Sequence, residues 1–363
     1  MRKISVKVVA LGILFGAVFG ATETLSADTW PDGSEISSWF SDKRRVSLHE
    51  LGKQYVLTEQ GVPEGDGIVR TREIQTIIDR AARNGGGVIV VPNGLFVTGG
   101  LHFRPGVHLY LEKGAILRAS DEIADYTLEP TRLRGISLTY FCAVINAIDC
   151  DGFTLAGEGV IDGNGMKAWR RFWLRRQWNP NATGLDEHRP RILFVSKSKD
   201  VRIEGVTLLN SPVWTSHYYD CQRLKILGIT TKTEVSPDGW RGPATDGMDL
   251  DGVSEALISG CSVNNNDDGI VFKGGFGAWA DDPEKFPNNR PNRNIIIEDC
   301  HFGEQGHACV GAGSECYDVR NVIVRRVRVD AGAWNLLRLK IRPDTPQDYR
   351  GIFVEDAGGT VGN

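Results

Sequence analysis

Charge of one sign is not in excess in this sequence. Its 42 Lys and Arg against 46 Asp and Glu leave a formal net charge of -4 over 363 residues, which supplies no basic face for nucleic acid and no like-charge run for a membrane surface. If the substrate is acidic, a few local Arg and Lys side chains must recognise it. Membrane-length apolar runs are missing as well. The uncharged run Val8–Phe19 has 12 residues, follows Arg2, Lys3 and Lys7, and leads into small residues through Ala21 and Ala27. A bilayer span needs roughly 20 apolar residues, so residues 1–27 read as a signal peptide, and the protein as exported, periplasmic or secreted, with no membrane contact after its removal. The seven cysteines show no CxxC or CxxH spacing. That excludes the common zinc patterns, and their odd number leaves at least one thiol unpaired within a monomer.

A hydrophobic content of 41% with 24% charged residues is that of a globular chain able to bury a large core. Residues 28–68 are irregular and polar with scattered aromatics (Trp30, Trp39, Phe40), and read as an arm laid on a scaffold. From Thr71 to Asn84, Ile74, Ile77, Ile78, Ala81 and Ala82 share one helical face, and Gly85-Gly86-Gly87 ends the helix. Short β-branched runs separated by Gly, Asn and Asp follow from Val88 onward.

Those runs carry a degenerate repeat, an aliphatic residue followed two places later by Gly or Asp and then by a small or aliphatic residue. It reads Ile203-Glu-Gly-Val, Ile226-Leu-Gly-Ile, Ile258-Ser-Gly-Cys, Ile297-Glu-Asp-Cys, Val324-Arg-Arg-Val and Val354-Glu-Asp-Ala, with Arg326 departing at the third place. An earlier copy is Phe153-Thr-Leu-Ala-Gly. The intervals of 23, 32, 39, 27 and 30 residues are variable, whereas helical and leucine-rich repeats keep a fixed period. Each unit suits one coil of a solenoid with the surplus in loops. The expected fold is all-β, a single right-handed parallel β-helix over residues 69–363 with an N-terminal capping helix, and the six repeat aliphatics pointing inward in one stack. Cys261 and Cys300 then stack as small core residues. Asn210 and Asn265, each seven places after a repeat Ile, suggest an asparagine ladder.

Equivalent positions of successive coils lie about 4.8 Å apart, so distant residues form one vertical line. Between repeat motifs fall Thr245-Asp246-Gly247, Asp267-Asp268-Gly269, Gly306-His307-Ala308 and Arg338-Leu339-Lys340. Asp246 and Asp267 are 21 residues apart, near one minimal coil, and Asp268 and His307 each sit ten after their repeat aliphatic. Four coils thereby gather three carboxylates, an imidazole and two cations. Clustered carboxylates cannot all ionise, so one keeps its proton to act as acid while another holds water, the equipment for glycoside hydrolysis. Arg338 and Lys340, at i and i+2, face one side and suit a uronate carboxylate. For adjacent Asp267 and Asp268 to share a site, the strand must bulge or end there. Lys273 is a further candidate for the uronate, with a salt bridge as the alternative; His217 and Trp214 are candidates for a sugar subsite, with core packing as theirs. Asp249 and Asp251 read as structural, and the Trp- and Arg-rich stretch 169–178 as a loop walling the cleft.

The four motifs, in this order, resemble those of glycoside hydrolase family 28, the polygalacturonases, which read Asn-Thr-Asp, Asp-Asp, Gly-His-Gly and Arg-Ile-Lys. The resemblance runs from about Asp66 to the C-terminus. Ala244, Ala308 and Leu339 depart from it, while all six ionisable residues are kept. It implies that Asp267 is the general acid, that Asp246 and Asp268 hold the attacking water with inversion, that His307 supports the acid, and that Arg338 and Lys340 bind galacturonate. Pectic polysaccharide would be the substrate, with no metal or cofactor. A β-helix pectate or rhamnogalacturonan lyase and a noncatalytic glycan-binding β-helix are the alternatives. Family members usually continue for several coils beyond the last motif, so the C-terminal edge, 23 residues past Lys340, is expected to be truncated and open.

Overall fold

A computed structural model describes residues 3–9, 29–303, 306–330 and 332–360. Its strands wind into a right-handed parallel β-helix. The repeat aliphatics form a continuous ladder, Ile203 beside Ile226, then Ile258, Ile297, Val324 and Val354. All six are 5% exposed or less. Leu155, from the earlier copy, extends the ladder below Ile203, and Leu109 and Ile89 continue it toward the N-terminus.

The third place of the repeat is a turn with left-handed backbone. Gly205, Gly228 and Gly260 have φ of 74°, 59° and 68°, and Asp299, Arg326 and Asp356 have 55°, 51° and 45°. Glycine adopts this region freely and Asp tolerates it, while other L-residues lose roughly 1–2 kcal/mol there. Arg326, the departure in the pattern, is tethered: Nε donates to Asp299 Oδ1 at 2.6 Å and Nη2 to Glu298 Oε2 at 2.7 Å, one coil away. The residue after the turn points back inside, which puts Cys261 and Cys300 in the core. All seven cysteines are buried free thiols.

The helix Thr71–Arg83 buries Ile74, Ile77, Ile78 and Ala81 in the main core. It ends at Asn84, where the Gly86 N–H donates to Ala81 O at 2.9 Å. The arm before it lies across the outer face, where Trp30 and Phe40 cover Leu227, Leu257, Ile296 and Ile323. Along the final strand, Asp348–Gly359, runs the strand Lys3–Val9 in parallel; it belongs to the stretch read as a signal peptide, whose removal would leave this edge unpaired. The rest of the proposed signal peptide, residues 1–2 and 10–27, lies outside the described residues.

One face of the helix carries the site. Its strands stack in the order Leu101–His102, Ile145–Ile148, Leu193–Ser196, Ser216–Tyr219, Met248–Asp251, Ile270–Lys273, Ala308–Ala312 and Asn335–Leu339. Alternation sends Tyr218, Leu250, Phe272 and Ala312 inward. His217, Asp249, Val271, Gly311 and Arg338 form an outward row. Beside this sheet stands an antiparallel hairpin, Leu128–Leu133 with Ile136–Phe141.

Two expectations are corrected. Residues 166–178 are an α-helix, not a loop; Trp169 is buried while Trp178 is exposed. Asn210 and Asn265 do not touch, because Thr233 stands between them and receives the Asn265 Nδ2 hydrogen bond at 3.1 Å.

Candidate functional site

The strand Ile270–Lys273 begins two residues after Asp268, so Asp267 and Asp268 occupy the turn that precedes it and both can face one cavity. Register decides their partners. Met248 pairs with Ile270 and Ile270 with Val310; counting back, Asp246 lies opposite Asp268, and Asp267 opposite His307. The motif spacing had set Asp268 level with His307, and the coils differ by one residue in the connecting turn. His307 Nδ1 lies 3.1 Å from Asp267 Oδ1. Trp334 stacks on the imidazole, ring centroids 4.4 Å apart.

Asp246, Asp267, Asp268, Lys273 and Lys340 line a cavity of about 180 Å³, together with Leu133, Arg134, Leu185, Arg189, Trp214 and Glu315. Burial pushes the Asp246 carboxyl up to about 7, helped by the charges of Asp267 and Asp268 and opposed by Lys273. For Asp267 burial also acts upward, but the His307 hydrogen bond and charge outweigh it and hold this acid below the ordinary value. The same contact raises His307. Asp246 therefore titrates close to neutrality, and the His307–Asp267 contact favours the ion-paired forms. Asp249, behind Asp246, is driven well above the carboxylate range by burial and by Asp246.

The cations are unequally committed. Lys273 is buried and lies 3.4 Å from Asp246, 3.6 Å from Asp249 and 3.5 Å from Glu315, so the salt-bridge alternative holds for this residue although it faces the cavity. Its ammonium also sits 4.6 Å from the Trp214 ring centroid. Lys340 is bound to Asp268 Oδ2. Arg338 is exposed on the neighbouring row and makes no hydrogen bond or ion pair with a described residue. Asp267, Asp268 and His307 each bring one possible ligand atom within 4.8 Å of the others, but the Lys340 ammonium already balances Asp268.

His217 is not at the surface. It is 0% exposed, beneath Trp214, with Nδ1 2.7 Å from Arg191 Nη1 and Nε2 3.2 Å from Asp251 Oδ2. Arginine only donates and an ionised carboxylate only accepts, so the ring is neutral with its proton on Nε2. Burial lowers its pKa to about 4, in agreement. This histidine cannot reach substrate. It belongs to a buried network in which Arg132 Nε donates to Asp251 Oδ2 at 2.9 Å and Arg191 reaches Thr131 Oγ1 and Arg132 O, fastening the hairpin to the sheet.

Arg134, Arg189, Glu315 and Trp334 escaped the sequence reading. Arg189 donates to the carbonyls of Pro212, Pro243 and Gly184 and so braces the cavity wall. For Arg134 one indicator existed, an Arg-Gly pair between two β-capable runs.

Residues 130–352 match the family described as glycosyl hydrolases family 28, a narrower span than the resemblance from Asp66. A probable polygalacturonase of Vitis vinifera is 27% identical over 69% of this chain and 50% of its own length. An endo-polygalacturonase of Pectobacterium parmentieri is 27% identical over 84% of this chain and 71% of its own. The chain thus spans about half the length of the grape relative. Among solved structures, a hyperthermoactive exopolygalacturonase from Thermotoga maritima superposes with a TM-score of 0.70 at 21% identity, covering 87% of this chain and 79% of that one, which establishes likeness of fold.

Proposed function

The chain belongs to glycosyl hydrolases family 28, and on that premise we propose that it hydrolyses galacturonate-containing pectic polysaccharide outside the cytoplasm, through Asp246, Asp267 and Asp268. The observation that carries the reading is the cavity itself: three carboxylates from two adjacent coils beside a histidine, ringed by cations. The basic and apolar residues near Met1 support export.

In the mechanism, an anionic sugar enters, displaces water and adds negative charge. Both effects raise the carboxyls. His307 passes its Nδ1 proton toward Asp267 as that carboxyl rises, and Asp267 delivers it to the leaving oxygen. Asp246 and Asp268, level with each other on neighbouring coils, orient the water, and the Asp268 carboxylate, paired with the Lys340 ammonium, takes its proton. Lys340 and Lys273 keep the two water-binding acids from repelling each other. Arg338 receives a uronate carboxylate beside the scissile bond.

Homogalacturonan and rhamnogalacturonan digested side by side test the reading. New reducing ends without ultraviolet-absorbing unsaturated sugar, unaffected by chelator, are expected. Unsaturated product lost on calcium removal would make the chain a lyase, and binding without cleavage a glycan-binding protein. The roles separate on leaving groups: Asp267→Asn should retain more activity on an aryl galacturonide with an acidic phenol than on polymer, since such a phenol departs without a proton. Equal losses on both would move the acid role to Asp246.

A further inference from the structure

The hairpin Leu128–Leu133 with Ile136–Phe141 turns through only two residues, Arg134 and Gly135, because Leu133 pairs with Ile136. Both have positive φ, 54° and 73°, the signature of a type I′ turn. Asn-Gly is the favoured pair there, and an arginine at the first place is strained. The surroundings are shaped around it. A Cβ on Gly184 would come within 2.4 Å of Arg134 Nη1, and a Cβ on Gly135 within 2.7 Å of Glu315 Cβ. The guanidinium therefore lies against bare backbone, and the turn closes on the far wall.

Four cations line the cavity: Arg134, Arg189, Lys273 and Lys340. Lys273 is bound to carboxylates, Lys340 to Asp268, and Arg189 to carbonyls. The Arg134 side chain makes no hydrogen bond or close ion pair with any described residue, and its charge reaches the Glu315 carboxylate only at longer range. A half-buried guanidinium without an acceptor, held in a strained turn, is stocked for an anion that arrives from outside.

We infer that Arg134 is a specificity-determining residue that receives the carboxylate of the sugar occupying the cavity, so the enzyme takes a substrate with a free uronate at that subsite. The inference rests on the proposed hydrolase reading. It makes the hairpin, rather than the lysines of the cavity, the part that distinguishes a uronate from its neutral or esterified counterpart.

Arg134→Asn keeps the turn, since Asn-Gly suits type I′ geometry, and removes the cation. On polygalacturonate its KM should rise about 10- to 100-fold with kcat changed far less, and Arg134→Lys should fall between, having charge without the fork. Fully methyl-esterified trigalacturonate, used as a competing inhibitor, should bind parent and Arg134→Asn equally. Equal KM on polygalacturonate for parent and Arg134→Asn, with matching melting curves, overturns the inference and leaves the hydrolase reading intact. Equal loss of affinity for acid and ester overturns it too, as a loss of shape. A parent that cleaves no galacturonate polymer removes the hydrolase reading first and the inference with it.

Discussion

Asp249 and Asp251 stand two residues apart on one strand, on the same face, both 0% exposed, and they end in opposite states. Burial pushes each upward. Asp251 has Arg132 and the His217 N–H against it, and they hold it ionised. Asp249 has Lys273 as its cation, 3.6 Å away, and meets Asp246 acid to acid, a contact that raises it further. The difference comes from the hairpin, which brings Arg132 from 119 residues away to one aspartate and not to the other. One acid thereby anchors a wall of the cleft, and its neighbour joins the raised acids behind the cavity.

Carboxylates on the two sides of this divide should fail differently when removed. The largest effect is expected on the cavity side: Asp267→Asn lowers kcat about 10²–10⁴-fold with little change in melting temperature, read from steady-state rates and thermal unfolding of the same preparation. A rate near that of the parent would end the assignment of Asp267.

Next in size, Arg132→Met strands Asp251 without its cation. Breaking one half of a buried pair costs about 3–5 kcal/mol, seen as a fall in the denaturant midpoint. Adding Asp251→Leu to that variant should recover part of the loss, since the unpaired carboxylate is then gone and only the His217 Nε2–H is left without its acceptor.

The two acids also act in different pH windows. A carboxyl raised in the folded state binds its proton more tightly there than in the unfolded chain, so stability declines as pH climbs from 3.8 through the folded value, about 7 for Asp246, and levels above it. Asp249 acts in the same direction. Asp251 is lowered, so its contribution is present above 3.8 and is lost only as pH falls through its folded value. Asp249→Asn should flatten the decline toward neutral pH and leave the acid limb unchanged; an unaltered profile would mean that Asp249 is ionised at neutrality.

The smallest effect is expected from Trp334→Ala, which removes a face from His307. A stacked pair contributes about 0.5–1.5 kcal/mol, so kcat should fall only several-fold, with a small shift in the His307 titration followed by NMR.

Residues that repeat were readable from the chain alone. Ile203 to Val354 had to stack because each coil buries one side chain at that place, and the Gly and Asp two positions later mark a backbone turn that few other residues accept. The four charged motifs followed as passengers of that periodicity. The one-residue offset that sets Asp267, and not Asp268, against His307 arises in a connecting turn where no side-chain pattern counts residues. Burial of His217 was likewise out of reach, because Trp214 and the hairpin that cover it come from other parts of the chain.

The sequence by itself determined the solenoid, its capping helix and the line of carboxylates, since these depend on nearest-neighbour coils and on local backbone preference. Only the tertiary structure decided which acids are charged, which cations are spent and where Arg134 points. Those outcomes depend on desolvation and on partners brought from distant residues, and neither is written in any local stretch of chain.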